Sequence, residues 1–425
     1  MYSLGVKAQE KQGGKHVLVK SIVQQTLGIK NHVVKKVIQT EEGISIYLDV
    51  YKRRRLVCSC CQTPGRLRDR LKIRQWKHPS LWGIPVTLYY APARVSCEVC
   101  QRVVVESIPW SQGKCRLSKG LIWMISSWCK LLAWDVVAKL FGVHWNTVAA
   151  AVRQAVEYGL EHRELGEMLY IGIDELSRRK GHVYVTNVYD LKEKRLIWSG
   201  EGRSQDTLRA FFEEHGEALK DRVKGACCDM WQPYIDVIKE YLPETTLVFD
   251  KFHIVQHMLK AVDAVRRDEA RELKKTNPEL LKRTRYIWLK NVENLTDKQR
   301  ARLGYLEKLN LRCNRAHLLK ESFRELWDYQ SKGWAKRFLS KWFWWATHSR
   351  LAPMRDFAWM LRRHEEDILN YFDERISNGA VEGMNNKAKV VSHRCYGFRT
   401  AKNYITALYH CLGKLPEPEL VHRFL

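Results

Sequence analysis

The sequence lacks any uninterrupted apolar run of the length that a lipid bilayer requires. The most apolar stretch, residues 121–137, contains Lys130 and Asp135 and falls short of the ~20 consecutive apolar residues of a membrane span. The N-terminal segment has no apolar core, so we expect no secretory signal. Internal repeats and low-complexity tracts are also missing, and a hydrophobic content of 45% excludes intrinsic disorder. These absences predict a folded, cytoplasmic protein.

Acidic residues are scarce relative to basic ones. The 425 residues include 47 Asp and Glu against 73 Lys and Arg, a formal net charge of +26. A surplus of this size predicts a polyanionic partner, most simply nucleic acid. Residues 1–170 carry +14 and residues 251–350 carry +13, whereas residues 171–250 carry −3. The basic blocks thus flank a segment whose carboxylates are suited to binding a cation, although solvated helix faces are an alternative interpretation of each cluster.

Twelve cysteines in a chain of this class indicate metal ligation or free thiols rather than a disulfide framework. Two Cys-x-x-Cys pairs occur at residues 58–61 and 97–100. Four thiolates on two tight turns form the tetrahedral set that Zn²⁺ favours. We therefore predict a zinc ribbon with an elongated hairpin, whose ligands are Cys58, Cys61, Cys97 and Cys100. Cys60 is an alternative to Cys61, although the spacing favours Cys61, and buried structural cysteines are the other interpretation.

Residues 118–160 have the apolar periodicity of helices, with a break that predicts a helix-turn-helix. A helix over residues 134–140 is followed by Phe141-Gly142-Val143 and by a second helix from His144. Gly142 permits the left-handed backbone of the turn. The start of the second helix is the part that meets base edges in the major groove, and it contains His144, Trp145, Asn146 and Thr147. An ordinary three-helix packing unit is the alternative.

Residues 169–250 change to the short apolar runs of strands, and their order βββαβαβ is that of the ribonuclease-H-like fold. Asp174 ends the first predicted strand and Asp229 the fourth, and those strands are neighbours in that fold. Glu382, on a predicted helix near the C-terminus, is the natural third carboxylate. Three such carboxylates repel one another unless cations intervene, which predicts two Mg²⁺ or Mn²⁺ ions. Strand-end aspartates are also common turn formers, and Glu175 and Asp250 are rival ligands.

Residues 252–372 consist of successive predicted helices rich in Lys, Arg and Trp. They predict an all-α segment between the fifth predicted strand and the helix of Glu382, with a positive charge suited to a DNA backbone. The tryptophans at positions 334, 342, 344, 345 and 359 have the chemistry to stack on a flipped base, but burial in a helical core is the favoured interpretation. The final helices supply further expected DNA contacts, namely Asn386, Lys387, Lys389 and Arg394.

Several short segments have the character of signature motifs. They are Gly172–Glu175, Cys228–Tyr234, Phe249–His253, Ser377–Lys389 and Tyr396–Phe398, with Trp76–His78, Pro92–Val95 and Ile108–Trp110 in the N-terminal half. In these segments, and over nearly its whole length, the chain resembles bacterial insertion-sequence transposases of the ISL3 type. The resemblance implies an Asp-Asp-Glu transposase in which Asp174, Asp229 and Glu382 match the catalytic positions.

The expected architecture is α/β, a ribonuclease-H-like catalytic core interrupted by an all-α insertion domain and preceded by a zinc ribbon and a helix-turn-helix. The expected domains are an N-terminal zinc-ribbon region (1–112), the helix-turn-helix (113–166), the first part of the core (167–251), the helical insertion (252–374) and the last part of the core (375–425). The expected activity is that of a DNA transposase, a homodimer or higher oligomer at the bacterial nucleoid. It would cleave at terminal inverted repeats and join 3′-hydroxyl ends to target DNA. A DNA-binding regulator with an inactive core and a non-specific nuclease are the alternatives.

Overall fold

The computed structural model describes residues 23–24, 31–51, 55–111, 115–179, 181, 183–374, 376 and 379–418. The chain forms two compact units, one from the described residues up to Arg163 together with residues 415–418, and one from Glu164 to Lys414. Within these ranges no helix has both the length and the apolar character that a membrane crossing requires. The predicted helix start at Ser377-Asn378 lies outside the described residues.

The N-terminal part of the first unit is built from β-strands. They are β1 (His32–Thr40), β2 (Gly43–Val50), β3 (Leu56–Val57), β4 (Pro64–Arg70), β5 (Arg74–Leu81), β6 (Ile84–Tyr90), β7 (Ala93–Cys97) and β8 (Arg102–Val105). Among the described strands the sheet orders are β1-β2-β6-β5 and β3-β4-β7-β8. β5 pairs with β6 and β4 with β7, both antiparallel, so the residues between the two cysteine pairs form the predicted elongated hairpin. Its tip is Trp82-Gly83, where both residues have the positive φ of a type I′ turn.

The core of the first sheet combines aliphatic side chains with three large aromatic rings. The alternation of Ile44, Ile46 and Leu48 along β2 turns all three side chains inward, as their period of two predicts. They pack with Trp110, whose ring meets the ring of Tyr90 edge-on at a centroid distance of 5.3 Å. The rings add substantially to this core, because each buried aromatic side chain removes about 150–250 Å² from water.

Three helices follow, and they have the bounds of the predicted helix-turn-helix to within a few residues. They are α1 (Lys119–Cys129), α2 (Trp134–Leu140) and α3 (Trp145–His162). Ser118 caps α1, since its hydroxyl accepts a hydrogen bond from the backbone N–H of Leu121. Gly142 adopts φ +57° in the turn between α2 and α3. Ala138 and Val148 are both buried, so a small and a branched side chain pack where the two helices meet.

The second unit contains a mixed sheet with the predicted element order. Its elements are β9 (Tyr170–Arg179), β10 (Val183–Asp190), β11 (Arg195–Glu201), α4 (Gln205–Leu219), β12 (Gly225–Cys228), α5 (Gln232–Tyr241) and β13 (Thr246–Phe249). The strand order is β11-β10-β9-β12-β13. β9, β10 and β11 are antiparallel, whereas β12 runs parallel to both β9 and β13. The first and fourth strands of this unit are therefore neighbours, as the sequence predicts.

The expectation that Asp174 ends a strand is wrong. β9 continues for five residues beyond it, to Arg179, because β10 pairs with β9 along that whole length. The pairing with β12 stops earlier, at Gly172. Asp174 therefore lies within β9, two residues beyond the last residue of β9 that pairs with β12. Asp229 directly follows β12, so the two aspartates lie at the same end of these two strands.

The remainder of the second unit is helical. It comprises α6 (Lys251–Leu273), α7 (Arg285–Leu289), α8 (Asp297–Glu307), α9 (Arg312–Arg324), α10 (Lys332–His348), α11 (Ala352–Arg363), α12 (Glu365–Leu369), α13 (Tyr371–Glu374), α14 (Gly379–Arg394) and α15 (Ala401–Leu412). α6 to α13 lie between β13 and the helix that carries Glu382, in the part of the chain for which a helical insertion is expected. Of the five tryptophans for which the sequence favours burial, Trp342 is buried. The expectation is wrong for Trp334, Trp344, Trp345 and Trp359, which are exposed.

Candidate active site

Asp174 and Asp229 lie on adjacent strands at one edge of the mixed sheet. Asp229 directly follows β12, and its carboxylate accepts a hydrogen bond from the backbone N–H of Met230 at 2.7 Å. The carboxylate of Asp174 accepts a similar bond from the backbone N–H of Glu175, also at 2.7 Å. Each of these bonds engages one oxygen and fixes the orientation of the carboxylate. The second oxygen of each group points to other side chains of the site.

Asn385 connects Asp174 to α14. Its side-chain amide donates a hydrogen bond to Asp174 Oδ2 at 2.6 Å, while its Oδ1 accepts one from the hydroxyl of Tyr189 at 2.7 Å. Both Asn385 and Tyr189 are buried. A buried amide with both ends satisfied has a single orientation, so α14 is held against the β9–β10 edge in a defined register.

His253 lies between Asp229 and a third carboxylate, Asp250. Its Nδ1 is 3.4 Å from Asp229 Oδ2, and its Nε2 is 3.7 Å from Asp250 Oδ2. Asp250 is also the N-cap of α6, where it accepts a hydrogen bond from the backbone N–H of Phe252 at 3.0 Å. The N-cap fixes Asp250, and His253 follows it by one turn of the same helix, so α6 presents both groups to Asp229.

The electrostatic environment of Asp174 disfavours its charged form. Burial raises the pKa of Asp174 to about 6, and the negative charges of Asp250 and Asp229 act in the same direction. His253 opposes the shift. Three carboxylates thus lie close enough to perturb one another, and a group in this situation is stabilised as an anion when a cation joins it.

Glu382 lies in the first turn of α14 and is exposed. It precedes Asn385 by three residues, which is a rise of about 4.5 Å along the same broad side of the helix. Of the described residues, only Cys58, Cys61, Cys97 and Cys100 bring three or more ligand atoms within 4.8 Å of one another. Glu382 is therefore not part of a compact ligand cluster with the two aspartates, and its link to them runs along α14 through Asn385, which bonds to Asp174.

Glu175 faces the opposite side of β9. The pleat of a strand turns successive side chains to opposite faces, and β9 continues through this position. Glu175 Oε2 lies 3.8 Å from Arg203 Nη1, and Glu175 also interacts with the hydroxyl of Tyr234. Burial raises the pKa of Glu175, while Arg203 opposes the shift. Glu175 is therefore a poor substitute for Asp174 at the carboxylate edge, whereas Asp250 is a close neighbour of it.

The four predicted zinc ligands come together in the first unit. The sulfur atoms of Cys58 and Cys100 are 4.0 Å apart, and those of Cys61 and Cys97 are 3.5 Å apart. Cys60 is exposed and is not a member of this group. The hydroxyl and the backbone of Thr63 lower the pKa of Cys61 to about 6. The N–H of Cys100 lowers the pKa of Cys97 in the same way. Four sulfurs on two turns are a donor set that fits Zn²⁺.

The expected DNA contacts of the helix-turn-helix lie at the exposed end of α3. Trp145 and Asn146 are exposed, and Thr147 is half-buried. His144 is also exposed and is the N-cap of α3, where its Nδ1 accepts a hydrogen bond from the backbone N–H of Asn146 at 3.2 Å. The start of this helix therefore presents polar and aromatic groups to solvent.

The expected contacts on α14 divide between two sides of that helix. Asn386 and Lys389 are exposed and fall within about 60° of Glu382 around the helix axis. Lys387 lies on another side, where it lines a cavity of about 640 Å³ together with Lys192 and Lys194. Arg394 is half-buried, with its Nη2 3.8 Å from the sulfur of Cys411.

Three residues that shape this site have no distinctive signal in the sequence. Asn385 follows Glu382 at helical spacing and His253 follows Asp250 by three residues, but neither pattern specifies a contact. Tyr189 falls in an apolar strand pattern, which does not distinguish it from an ordinary core residue. The only sequence signal for Asn385 is its helical spacing from Glu382. That spacing does not reveal its partner, because Asp174 is 211 residues away along the chain.

Comparisons with known proteins identify the family of this chain. The family model described as Transposase, of the ISL3 DDE type, matches residues 171–408. The transposase for insertion sequence element IS1001 from Bordetella parapertussis is 29% identical over 359 residues, which are 84% of this chain and 88% of that relative. The transposase for insertion sequence element IS1557 from Mycobacterium tuberculosis is 28% identical over 416 residues, which cover 89% of this chain and 92% of that relative. Since the family match covers more than half of the chain, the protein belongs to the ISL3-type DDE transposases, enzymes that cleave and join DNA with divalent metal ions.

Proposed function

We propose that this transposase recognises the terminal inverted repeats of an insertion sequence, hydrolyses a phosphodiester bond at each end, and joins the resulting 3′-hydroxyl to target DNA. In this proposal Asp174, Asp229 and Glu382 are the catalytic residues and the ligands of two Mg²⁺ or Mn²⁺ ions. The zinc ribbon and the helix-turn-helix bind the repeats. Because two ends must be paired, the active form is a homodimer or a higher oligomer, and its DNA substrate locates it at the bacterial nucleoid.

The observation that carries the proposal is the Asn385 hydrogen bond. It joins Asp174 on β9 to the helix that contains Glu382, across 211 residues of chain. The bond fixes the register of α14, in which Glu382 lies one turn from Asn385. Because a buried amide is costly unless it is hydrogen-bonded, the contacts of Asn385 with Asp174 and Tyr189 support a defined place for α14 next to β9.

The donor set fits divalent cations that prefer oxygen ligands. The proposed ligands are all carboxylates, and burial together with like charges raises the pKa of Asp174 to about 6, so a cation would relieve the repulsion. When bound, two such ions activate the attacking oxygen and stabilise the leaving oxygen of an in-line displacement at phosphorus. Zinc is a poor candidate for this position, because the proposed ligands are hard oxygens without an imidazole.

The protein's own groups hold these ligands in place. Asn385 and the N–H of Glu175 fix the two oxygens of Asp174, and the N–H of Met230 fixes one oxygen of Asp229. His253 faces the other oxygen of Asp229. Ligands held in this way lose little further freedom when a phosphate arrives, which lowers the barrier to reaction.

The proposed DNA contacts follow the exposed groups. His144, Trp145, Asn146 and Thr147 at the start of α3 are proposed to read base edges. On α14, Asn386 and Lys389 are proposed to hold phosphate oxygens next to Glu382. Lys387 is proposed to meet DNA from a different side of the helix, and Arg394 to act near its C-terminal end, where it is partly covered.

The decisive experiment is a cleavage and joining assay on DNA that carries the flanking inverted repeats. The wild type should produce 3′-hydroxyl ends and joined products in Mg²⁺, and Asp229→Asn and Glu382→Gln should produce neither. Glu175→Gln is the matched control, because it removes a neighbouring carboxylate on the other face of β9 and should retain activity.

Each alternative function gives a distinct result in the same assay. Binding of the repeats without Mg²⁺-dependent cleavage would indicate a regulator with an inactive core. Cleavage with no preference for the repeats would indicate a non-specific nuclease. Unchanged DNA affinity and strand transfer in Lys389→Ala would refute the proposed phosphate role of that residue. Light scattering of the protein bound to paired ends reports its oligomeric state.

A further inference from the structure

One face of α10 carries exposed tryptophans, although the sequence favours their burial in a helical core. Trp334, Trp344 and Trp345 are 60%, 63% and 40% exposed. At 100° per residue they fall within an arc of about 100° around the helix, together with Arg337, Lys341 and His348. We call this set the α10 face. Single exposed apolar residues need no explanation, but three indole rings on one side of one helix form a patch of the kind that marks a binding surface.

The charge of the α10 face selects the class of partner. α10 contains four Lys and Arg residues and no Asp or Glu. Lys332 is engaged with Asp373, whereas Lys336, Arg337 and Lys341 make no ion pair within the described residues. A protein interface rich in Trp would be expected to deplete lysine, so this combination favours a polyanion with flat rings.

The rings and cations of the α10 face are already arranged in pairs. The guanidinium of Arg337 lies over the ring of Trp334 at 4.9 Å, and the rings of Trp344 and His348 stack at 4.4 Å with an angle of 22°. A groove of about 710 Å³ runs beside the N-terminal half of the helix, and its lining includes Trp334, Arg337 and Lys341. Stacked rings next to phosphate-binding cations are the parts from which single-stranded nucleic acid sites are built.

We infer that the α10 face binds DNA bases that have left the double helix. The bases stack on Trp334 and Trp344, and the phosphates lie along Arg337 and Lys341. The two tryptophans are ten residues apart, a rise of about 15 Å, which corresponds to about four nucleotides at 3.4 Å each. This inference rests on the proposed function, because cutting and joining a duplex requires strands that are locally unpaired.

The experiment measures the equilibrium dissociation constants of full-length protein in EDTA for three probes. They are a single strand of eight thymidines, a fully paired duplex, and the same duplex with a two-base bulge. Trp344→Ala should weaken binding of the single strand and the bulged duplex about tenfold and leave the paired duplex within about twofold. Trp344→Phe should recover most of the loss, because the smaller ring still stacks.

Trp359→Ala is the matched control. Trp359 is as exposed as the tryptophans of the α10 face, but it lies on α11 and contacts Phe343, on a different side of α10. Its replacement should not alter any of the three affinities. Thermal unfolding of each variant verifies that the helical part of the chain remains intact.

Several outcomes would overturn the inference. Equal losses for all three probes would make the α10 face a general phosphate contact. No loss for any probe, or a loss of self-association measured by sedimentation instead, would assign the α10 face to another partner or to a second copy of the chain. Because EDTA prevents catalysis, the measured affinities do not depend on cleavage. If the wild type cleaves the element ends in Mg²⁺ but Trp344→Ala binds all three probes as tightly as the wild type, this inference is refuted and the proposed function is not.

Discussion

Replacement of Asp174 by asparagine is expected to stabilise the metal-free protein while abolishing its activity. The pKa of Asp174 is raised from 3.8 to about 6, chiefly by burial and further by Asp250 and Asp229. The folded state therefore disfavours the charge that the unfolded chain carries freely in water. Asparagine is nearly isosteric and carries no charge. Its single oxygen can accept the hydrogen bond from Asn385, and its NH2 group then faces the backbone N–H of Glu175, which offsets part of the gain in stability.

The magnitude follows from the size of the shift. A change from 3.8 to about 6, at about 1.36 kcal/mol per pKa unit, corresponds to at most about 3 kcal/mol, and the partial exposure of Asp174 makes this an upper limit. For a unit of this size, 1 kcal/mol shifts Tm by about 2–4 °C, so a rise of up to about 10 °C is expected.

The pH dependence has a defined sign. The pKa of Asp174 is higher in the folded state than in the unfolded state. The free-energy cost of burying the charged carboxylate is therefore absent below the unfolded pKa of 3.8 and lowers the stability of the wild type fully above about pH 6. The difference in Tm between Asp174→Asn and the wild type should therefore grow as pH rises from 4 to 7 in EDTA.

Differential scanning calorimetry in EDTA at a series of pH values measures this difference directly. Added Mg²⁺ should stabilise the wild type and not the variant, since the variant lacks a proposed ligand. A lower Tm for Asp174→Asn at pH 7.5, or a difference that does not change with pH, would contradict the reasoning.

Three further predictions test other parts of the chain. Cys61→Ser should abolish binding of one Zn²⁺ per chain, measured by atomic absorption, and lower the stability of the first unit, whereas the exposed neighbour Cys60→Ser should leave both unchanged. Gly142→Val should cost about 1–2 kcal/mol and weaken binding of the repeats, because φ at this position is +57°, and Gly142→Asn should be tolerated far better. Asn385→Ala should reduce strand transfer by about 10- to 150-fold, as expected for a lost hydrogen bond of about 1.5–3 kcal/mol to a charged group. It should also raise the Mg²⁺ concentration needed for half-maximal activity, and an unchanged Mg²⁺ requirement would exclude a positioning role.

Local patterns explain why much of this fold is predictable from sequence. The order βββαβαβ follows from changes of hydrophobic period, and the caps of α1 and α4 follow from Ser118 and Ser204. The left-handed turn follows from Gly142, and the zinc-type cluster from two short cysteine spacings. Each of these signals lies within a few residues of the structure that it specifies.

The features that escaped prediction depend on distant parts of the chain. β9 passes through Asp174 and Glu175 to Arg179 because β10 pairs with it, although the sequence there is polar and resembles the end of a strand. The contact between Asn385 and Asp174 joins residues 211 positions apart, and no local pattern encodes it. The tryptophans of α10 were misassigned because aromatic residues occur on every side of that helix, so periodicity does not identify the buried face.

The distance along the chain between Asp174 and Asn385 also has a consequence during protein synthesis. A ribosome that adds about 5–20 residues per second needs about 10–40 s to make the intervening 211 residues. Throughout that interval the nascent polypeptide contains Asp174 without its amide partner and without Glu382. Truncated translation products that stop before α14 share this deficiency, yet they retain α3. On the proposed function, such fragments would occupy the element's ends without cutting them and would compete with the intact enzyme.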